Sequence, residues 1–396
     1  MKAWFVYLAA ILLAAAPGSL APANADADAL RGTGNLGIVI ERASGSVLVV
    51  DTTERSVLSR VQGLGDLSHA SAVFSRDERF AYVFGRDGGL TKVDILKGEI
   101  AARVVQAGNA IGGAISDDGT LVAVSNYEPG GVRVFDAVTL DLVADIPAEC
   151  AAGLSKTIGL VDAPGRRFIF TLWDAGETWI ADFSDGPAPV LSKLTGIGDR
   201  PYDALITGDG RHYIAGLYGE DGLTAIDLWQ SPPQQKRILQ GYGRGEVKLP
   251  VYKMPHLEGW ALAGERFVLP AVGHHEVLFV DTRTFEEVGR TKVHGQPVFA
   301  VARPDGRHVW VNFAHPLNDT IQVIDTLTNE IIREWKPGPA VLHMEFTPRG
   351  HEVWVSIRDA DAVHVYDART FARKASLPAK SPSGIFFTAR AHRTGL

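Results

Sequence analysis

The chain reads as an all-β protein, a single eight-bladed β-propeller of four-stranded blades closed by pairing of its N- and C-terminal strands. Three observations predict this. An apolar strand ends in aspartate eight times, at Asp51, Asp94, Asp136, Asp182, Asp227, Asp281, Asp325 and Asp367. Differences between neighbouring positions are 43, 42, 46, 45, 54, 44 and 42 residues, in the range of about 40–50 that propeller blades show. Turn pairs such as Asp118-Gly119, Asp209-Gly210, Asp305-Gly306 and Arg349-Gly350 recur at one place in each unit, as hairpins between short strands require. Alternation such as His308-Val309-Trp310-Val311 marks half-buried strands, and no long segment carries the 3.6-residue period of an amphipathic helix.

Residues 1–25 come first and read as a secretory signal. Lys2 supplies the positive start, Trp4 to Ala16 is an unbroken apolar run, and Ala23-Asn24-Ala25 fits a small-x-small cleavage site. The apolar run is shorter than the roughly 20 residues a membrane span needs. The expectation is a cleaved, periplasmic protein with no integral span in the mature chain, the propeller occupying residues 26–396. Gly32-Thr33-Gly34-Asn35-Leu36-Gly37 then matches G-x-G-x-x-G, but no strand precedes it and a strand follows it. A dinucleotide fingerprint needs the reverse order, so NAD is not expected.

The clearest blades are the second, Ala72 to Val105, the seventh, Ala300 to Trp335, and the eighth, Met344 to Leu377. The chain continues past the eighth blade with KSPSGIFFTARA, while the first blade shows only its later strands. Ile385–Ala389 pairing with the N-terminal segment would complete that blade and remove a free sheet edge. The interval of 54 residues before Asp281 is the longest, and its extra residues fall in Gly241 to Trp260. An over-long loop on a regular scaffold is where function concentrates. The eight aspartates read as structural, because each stands before a turn where its carboxylate can accept local backbone N–H groups.

Composition narrows the partners. The formal net charge is −7, and removing residues 1–25 takes away Lys2 alone, leaving −8. That argues against nucleic acid or an anionic surface. Cys150 is the only cysteine, so no internal disulfide and no covalent c-type haem through C-x-x-C-H are expected; it reads as a small buried side chain. His274-His275 reads as a solvated hairpin tip.

Aligning the inner strands on their turns brings out a set of candidates. His69 lies six residues before Ser75 and Lys156 six before Asp162; Asp203 lies four before Thr207 and His343 four before Thr347. Equal parity puts these side chains on one face of their strands, at the start of the inner strand, where the channel opens. Arg244, Lys253 and His256 come from the long loop. A mouth lined by histidine, lysine and arginine suits a planar ligand with several carboxylates and an imidazole for a central metal.

The stretch His69 to Gly89, HASAVFSRDERFAYVFGRDGG, resembles the start of the eight-bladed domain that holds heme d1 in the cytochrome-type nitrite reductases. SNYEPGGVRVFDAVTLD, HEVWVSIRDADAVHVYDARTF and SPSGIFF extend the resemblance in the same order, from about Gly37 to the C-terminus. The family's c-type haem domain is missing here, which looks like an exported heme d1 biogenesis protein related to that domain. The resemblance implies binding of heme d1 or its dihydro-heme d1 precursor. It implies His69 as the proximal iron ligand and puts His256 in the loop of a distal histidine. With the residue reading, the expectation is that His69 ligates or protonates at the macrocycle centre, Lys156, Arg244, Lys253 and Arg303 pair with carboxylates, His256 and His343 act as acid/base groups, and Tyr202 with Asp203 orients them. Arg303 takes the position of the reductase's distal histidine on the seventh blade. Nitrite reductase and other heme d1 maturation proteins are the implied partners, and a homodimer is left open. A late tetrapyrrole-modifying enzyme, a non-catalytic carrier and a plain protein-interaction propeller all stay compatible with the residues.

Overall fold

The computed structural model describes residues 31–151, 153–241 and 259–389. The signal-like segment and the expected site residues Arg244, Lys253 and His256 lie outside these residues.

Eight four-stranded antiparallel sheets follow one another along the chain, with one extra two-stranded hairpin, Glu149–Cys150 with Gly153–Leu154, between blades three and four. Cys150 is half-buried there rather than in the core. No α-helix occurs among the described residues, and none of their helices is long and apolar enough to cross a membrane. In blade one, Leu36–Glu41, Ser46–Asp51 and Ser56–Gln62 come from the N-terminal side, and the innermost strand, Pro382–Phe387, from the C-terminal side. Gly37 pairs with Phe387, Ile38 with Phe386 and Val39 with Ile385. The closure expected from the sequence is present, shifted a few residues toward Pro382.

Burial follows strand rank. Second and third strands such as Leu36–Glu41 and Ser46–Asp51 are buried throughout, because neighbouring blades cover both of their faces. The outer strand Glu330–Trp335 is exposed over most of its length. The core therefore lies between blades. Trp310 and Val323 of blade seven, for example, pack with Phe346, Val353 and Tyr366 of blade eight.

The eight aspartates do what a turn residue does. Each ends a third strand, and its carboxylate accepts the N–H two residues on, at 2.8–3.1 Å. Three are also paired with an arginine from the neighbouring hairpin, Arg79 with Asp94, Arg211 with Asp227 and Arg307 with Asp325. These bonds hold the Asp227 carboxyl down at about 2, Arg211 being the main cause.

Candidate functional site

Strands in a blade alternate in direction, so the ring has two unlike rims. One carries the hairpins between first and second strands and the aspartate turns. The other carries the starts of the inner strands, the turns after the second strands and the linkers between blades. His69, Lys156, Tyr202, Asp203 and His343 all lie on this linker rim. His69 is exposed in the bend just before Ser71–Phe74, and Lys156 is exposed just before Thr157–Ala163.

Arg303 does not join them, which corrects the expectation for it. It follows the end of its inner strand, Pro297–Ala302, and its N–H bonds to the carbonyl of His308 at 2.9 Å. Thr207 and Thr347 make the same turn bond with His212 and Glu352. Arg303 thus sits on the aspartate rim, paired with Asp305 at 3.1 Å. A match to a distal histidine in a resembling family does not by itself say which end of the inner strand the residue occupies.

A backbone irregularity explains why Asp203 and His343 are equivalent. The inner strands of blades five, seven and eight shift register between Pro201 and Ala204, Pro297 and Ala300, and Val341 and Met344. The residues at these shifts are Tyr202-Asp203, Val298-Phe299 and Leu342-His343. Such bulges re-aim side chains and recur beside functional sites. His343 is 5% exposed, held between the rings of Phe299 and Phe386 with centroids at 5.2 and 5.6 Å. Its Nδ1 accepts the N–H of Ile385 on the closing strand at 3.1 Å. With Nδ1 committed as an acceptor, Nε2 is the ring nitrogen that carries the proton, a donor arrangement that leaves no lone pair for a metal. Asp203 is 6% exposed. Burial, and next the Asp203 carboxylate, push the Tyr202 phenol far up, so Tyr202 keeps its proton. Lys156 Nζ is 4.0 Å from Asp174 Oδ1.

The structure adds residues that the strand phase does not reveal. The position just after the second strand carries Trp173 in blade four, Tyr218 in blade five and Arg358 in blade eight; their N–H groups bond to the carbonyls of Lys156, Arg200 and Ala340. Arg42 and Arg86 stand in the corresponding turns of blades one and two, and Tyr127 near the end of Leu121–Glu128 in blade three. Arg200 is the blade-five counterpart of Lys156. That recurring slot was the available sequence signal. Trp173 meets Tyr218 at 4.8 Å and Tyr202 at 5.5 Å, and an open depression of about 420 Å³ lies outside them, between Trp173–Gly176 and Gly198–Arg200.

The opposite arc carries Arg42, Arg86 and Arg358, the last paired with Asp359 at 2.6 Å. Among the described residues, neither Arg42 nor Arg86 makes an ion pair. Burial, and then the charge of Arg358, lower the Arg42 pKa, while Asp66 and Asp359 pull it up. A half-buried guanidinium without a bonded anion beside a second one is a place for an incoming anion. Among the described residues no group of three or more His, Cys, Asp or Glu side chains converges to hold a metal. The rim offers an arginine-bearing arc, an aromatic arc and an exposed imidazole, the set a flat, carboxylate-bearing metallocycle requires.

The chain is similar to known proteins over nearly its whole length. Two curated relatives named Protein NirF, from Stutzerimonas stutzeri and Pseudomonas aeruginosa, are each 60% identical over 370 residues, 93% of this chain and 95% and 94% of theirs. A solved structure described as dihydro-heme d1 dehydrogenase NirN in complex with DHE matches with a TM-score of 0.80 at 27% identity, over 90% of this chain and 76% of the other. The profile described as Cytochrome D1 heme domain matches residues 31–391. The chain belongs to the cytochrome D1 heme domain family and, within it, to the group of Protein NirF.

Proposed function

We propose that this protein binds heme d1 or its late precursor, dihydro-heme d1, at the linker rim and serves heme d1 biosynthesis for nitrite reductase in the periplasm. The observation that carries the reading is the exposed imidazole of His69 on the linker between Arg42 and Arg86, two arginines without ion pairs among the described residues. Asp66 on the same linker accepts the Arg86 N–H through its carbonyl at 2.8 Å, which seats the linker beside that turn. The iron is supplied by the ligand, and His69 gives it one nitrogen ligand. Arg42 and Arg86, with Lys156 on the same rim, receive carboxylates through charge-assisted bonds, the stronger kind, while Arg200 and Arg358 are already paired with Asp199 and Asp359. Trp173, Tyr202 and Tyr218 present ring edges and faces to the macrocycle. His343 Nε2–H is a proton donor in the channel wall, and Tyr202 stays a neutral phenol.

Two roles remain on this site, a carrier that passes the ligand to nitrite reductase and an enzyme for a late maturation step. Titrating purified protein with heme d1 and with dihydro-heme d1, and following the absorption bands, tests both. A band shift that is lost in His69→Ala supports ligation; an unchanged shift in that variant removes His69 from the iron. No shift in the wild type refutes tetrapyrrole binding. Slow conversion of the dihydro spectrum, once a one-electron acceptor is supplied, identifies the enzyme, and a stable spectrum identifies the carrier.

A further inference from the structure

One contact on the linker rim skips a blade. Tyr127, from the second strand of blade three, and Tyr202, from the inner strand of blade five, bring their hydroxyls to 3.1 Å across blade four. Blade four gives way beneath them. Its inner strand shifts register between Ile158 and Val161, around Gly159 at φ +57. A Cβ at Gly159 would stand 2.8 Å from the Tyr202 carbonyl oxygen and 3.0 Å from the Tyr213 hydroxyl, which itself donates to the Gly159 carbonyl at 2.7 Å. Glycine here leaves room for the bridge.

The bridge belongs to a continuous aromatic strip with a guanidinium at each end. Arg86 lies over the Tyr127 ring at 5.6 Å and Arg200 over the Tyr218 ring at 5.9 Å, with Tyr202 and Trp173 between them. Two phenols bonded to each other use one of their two protons between them. Tyr127 is half-buried, and its hydroxyl bonds only to Tyr202 among the described residues. Burial raises the Tyr127 pKa, Asp203 adding to it, so neither phenol ionises at neutral pH. When Tyr202 donates to Tyr127, the Tyr127 O–H is the donor left for a ligand, beside Arg86 and the Arg200–Asp199 ion pair, with Asp203 and Asp66 as further acidic neighbours.

We propose that the Tyr127–Tyr202 hydroxyl pair is a specificity-determining bridge that hydrogen-bonds a carboxylate oxygen on the edge of a tetrapyrrole lying in the mouth. This rests on the tetrapyrrole reading above. It fixes the rotation of the macrocycle about the channel axis, because one carboxylate edge must face blades three to five while others meet Arg42 and Arg86 on blades one and two. A hydroxyl donor to a charged oxygen differs from its absence by roughly tenfold in affinity or more.

The test measures dissociation constants for heme d1 and for its methyl-esterified form, by absorption titration, in wild type, Tyr127→Phe and Tyr202→Phe. Thermal melts check that each variant is folded. The expected result is a roughly tenfold weaker Kd for heme d1 in Tyr127→Phe, with less than about a twofold change for the ester. The double variant is expected to lose no more than the larger single one, as a coupled pair requires. An unchanged Kd for heme d1 in Tyr127→Phe overturns the proposal, and so does an equal loss for acid and ester. Absence of binding by the wild type refutes the underlying reading instead, and this inference with it.

Discussion

Replacing Glu41 by glutamine tests the seam that closes the ring. Glu41 is fully buried at the end of Leu36–Glu41. One carboxylate oxygen accepts Arg60 Nη2 at 3.0 Å and the Lys380 N–H at 2.7 Å; the other accepts Arg60 Nε and the Ser46 hydroxyl, both at 2.7 Å. Ser46 opens the third strand, Arg60 lies on the outer strand, and Lys380 leads into the closing strand, so one side chain ties all four strands of blade one. An amide presents an NH2 where one oxygen stood, so at least one bonded N–H loses its acceptor and the other bonds lose charge assistance. At about 1.5–3 kcal/mol for a bond to a charged group, a loss of about 2–4 kcal/mol follows. With about 2.1 cal/mol/K of unfolding entropy per residue over roughly 360 residues, Tm falls by about 3–5 °C. Burial pushes the Glu41 carboxyl up, but Arg60, the Lys380 N–H and Ser46 together outweigh it and hold it below its ordinary 4.5. A depressed carboxyl stabilises the fold above its unfolded pKa, and that stabilisation is lost as pH falls through the folded value. Circular-dichroism melts of wild type and Glu41→Gln should therefore differ fully at pH 7 and converge as pH drops below 4.5. A gap under about 1 °C at pH 7, or one undiminished at pH 3.5, would refute the reasoning. Because Arg42 is the next residue, heme d1 affinity of the variant should fall as well.

Two other perturbations separate the rims. Arg42→Ala should weaken heme d1 binding by about tenfold, while Arg303→Ala, on the aspartate rim, should leave the titration unchanged; equal effects of the two would place the ligand elsewhere. Gly159→Ala forces a side chain into the left-handed region, at about 1–2 kcal/mol, and against the Tyr202 carbonyl. It should lower Tm measurably and also weaken ligand binding, and an unaltered melt would mean that blade four tolerates a Cβ there.

Much of the site was readable from residue spacing. The aspartate index placed His69, Lys156, Asp203 and His343 at the heads of inner strands, and all four stand on one rim. Arg303, taken from the resemblance as the counterpart of a distal histidine, stands instead on the aspartate rim, paired with Asp305. The index passed over Arg42, Arg86, Tyr127, Trp173, Tyr218 and Arg358, because a single arginine or aromatic after a strand carries no period of its own. Their significance comes from the same slot being filled around the ring. His343 reads as an acid/base candidate in the chain, and only the structure shows that the N–H of Ile385, brought by the closing strand, commits its Nδ1 as an acceptor.

What the amino-acid sequence determines by itself is local: the blade count, the order of strands, the turns at which each aspartate accepts its own backbone, and the need for a final strand to complete blade one. Each of these depends on contacts within a single meander of the chain, where short-range pattern and pairing coincide. The tertiary structure alone decides which rim a side chain occupies, and which residues from blades one to five and eight confront one another across the mouth. Those relations arise from ring closure and from the inner-strand bulges. Both reposition side chains in ways that spacing along the chain does not record.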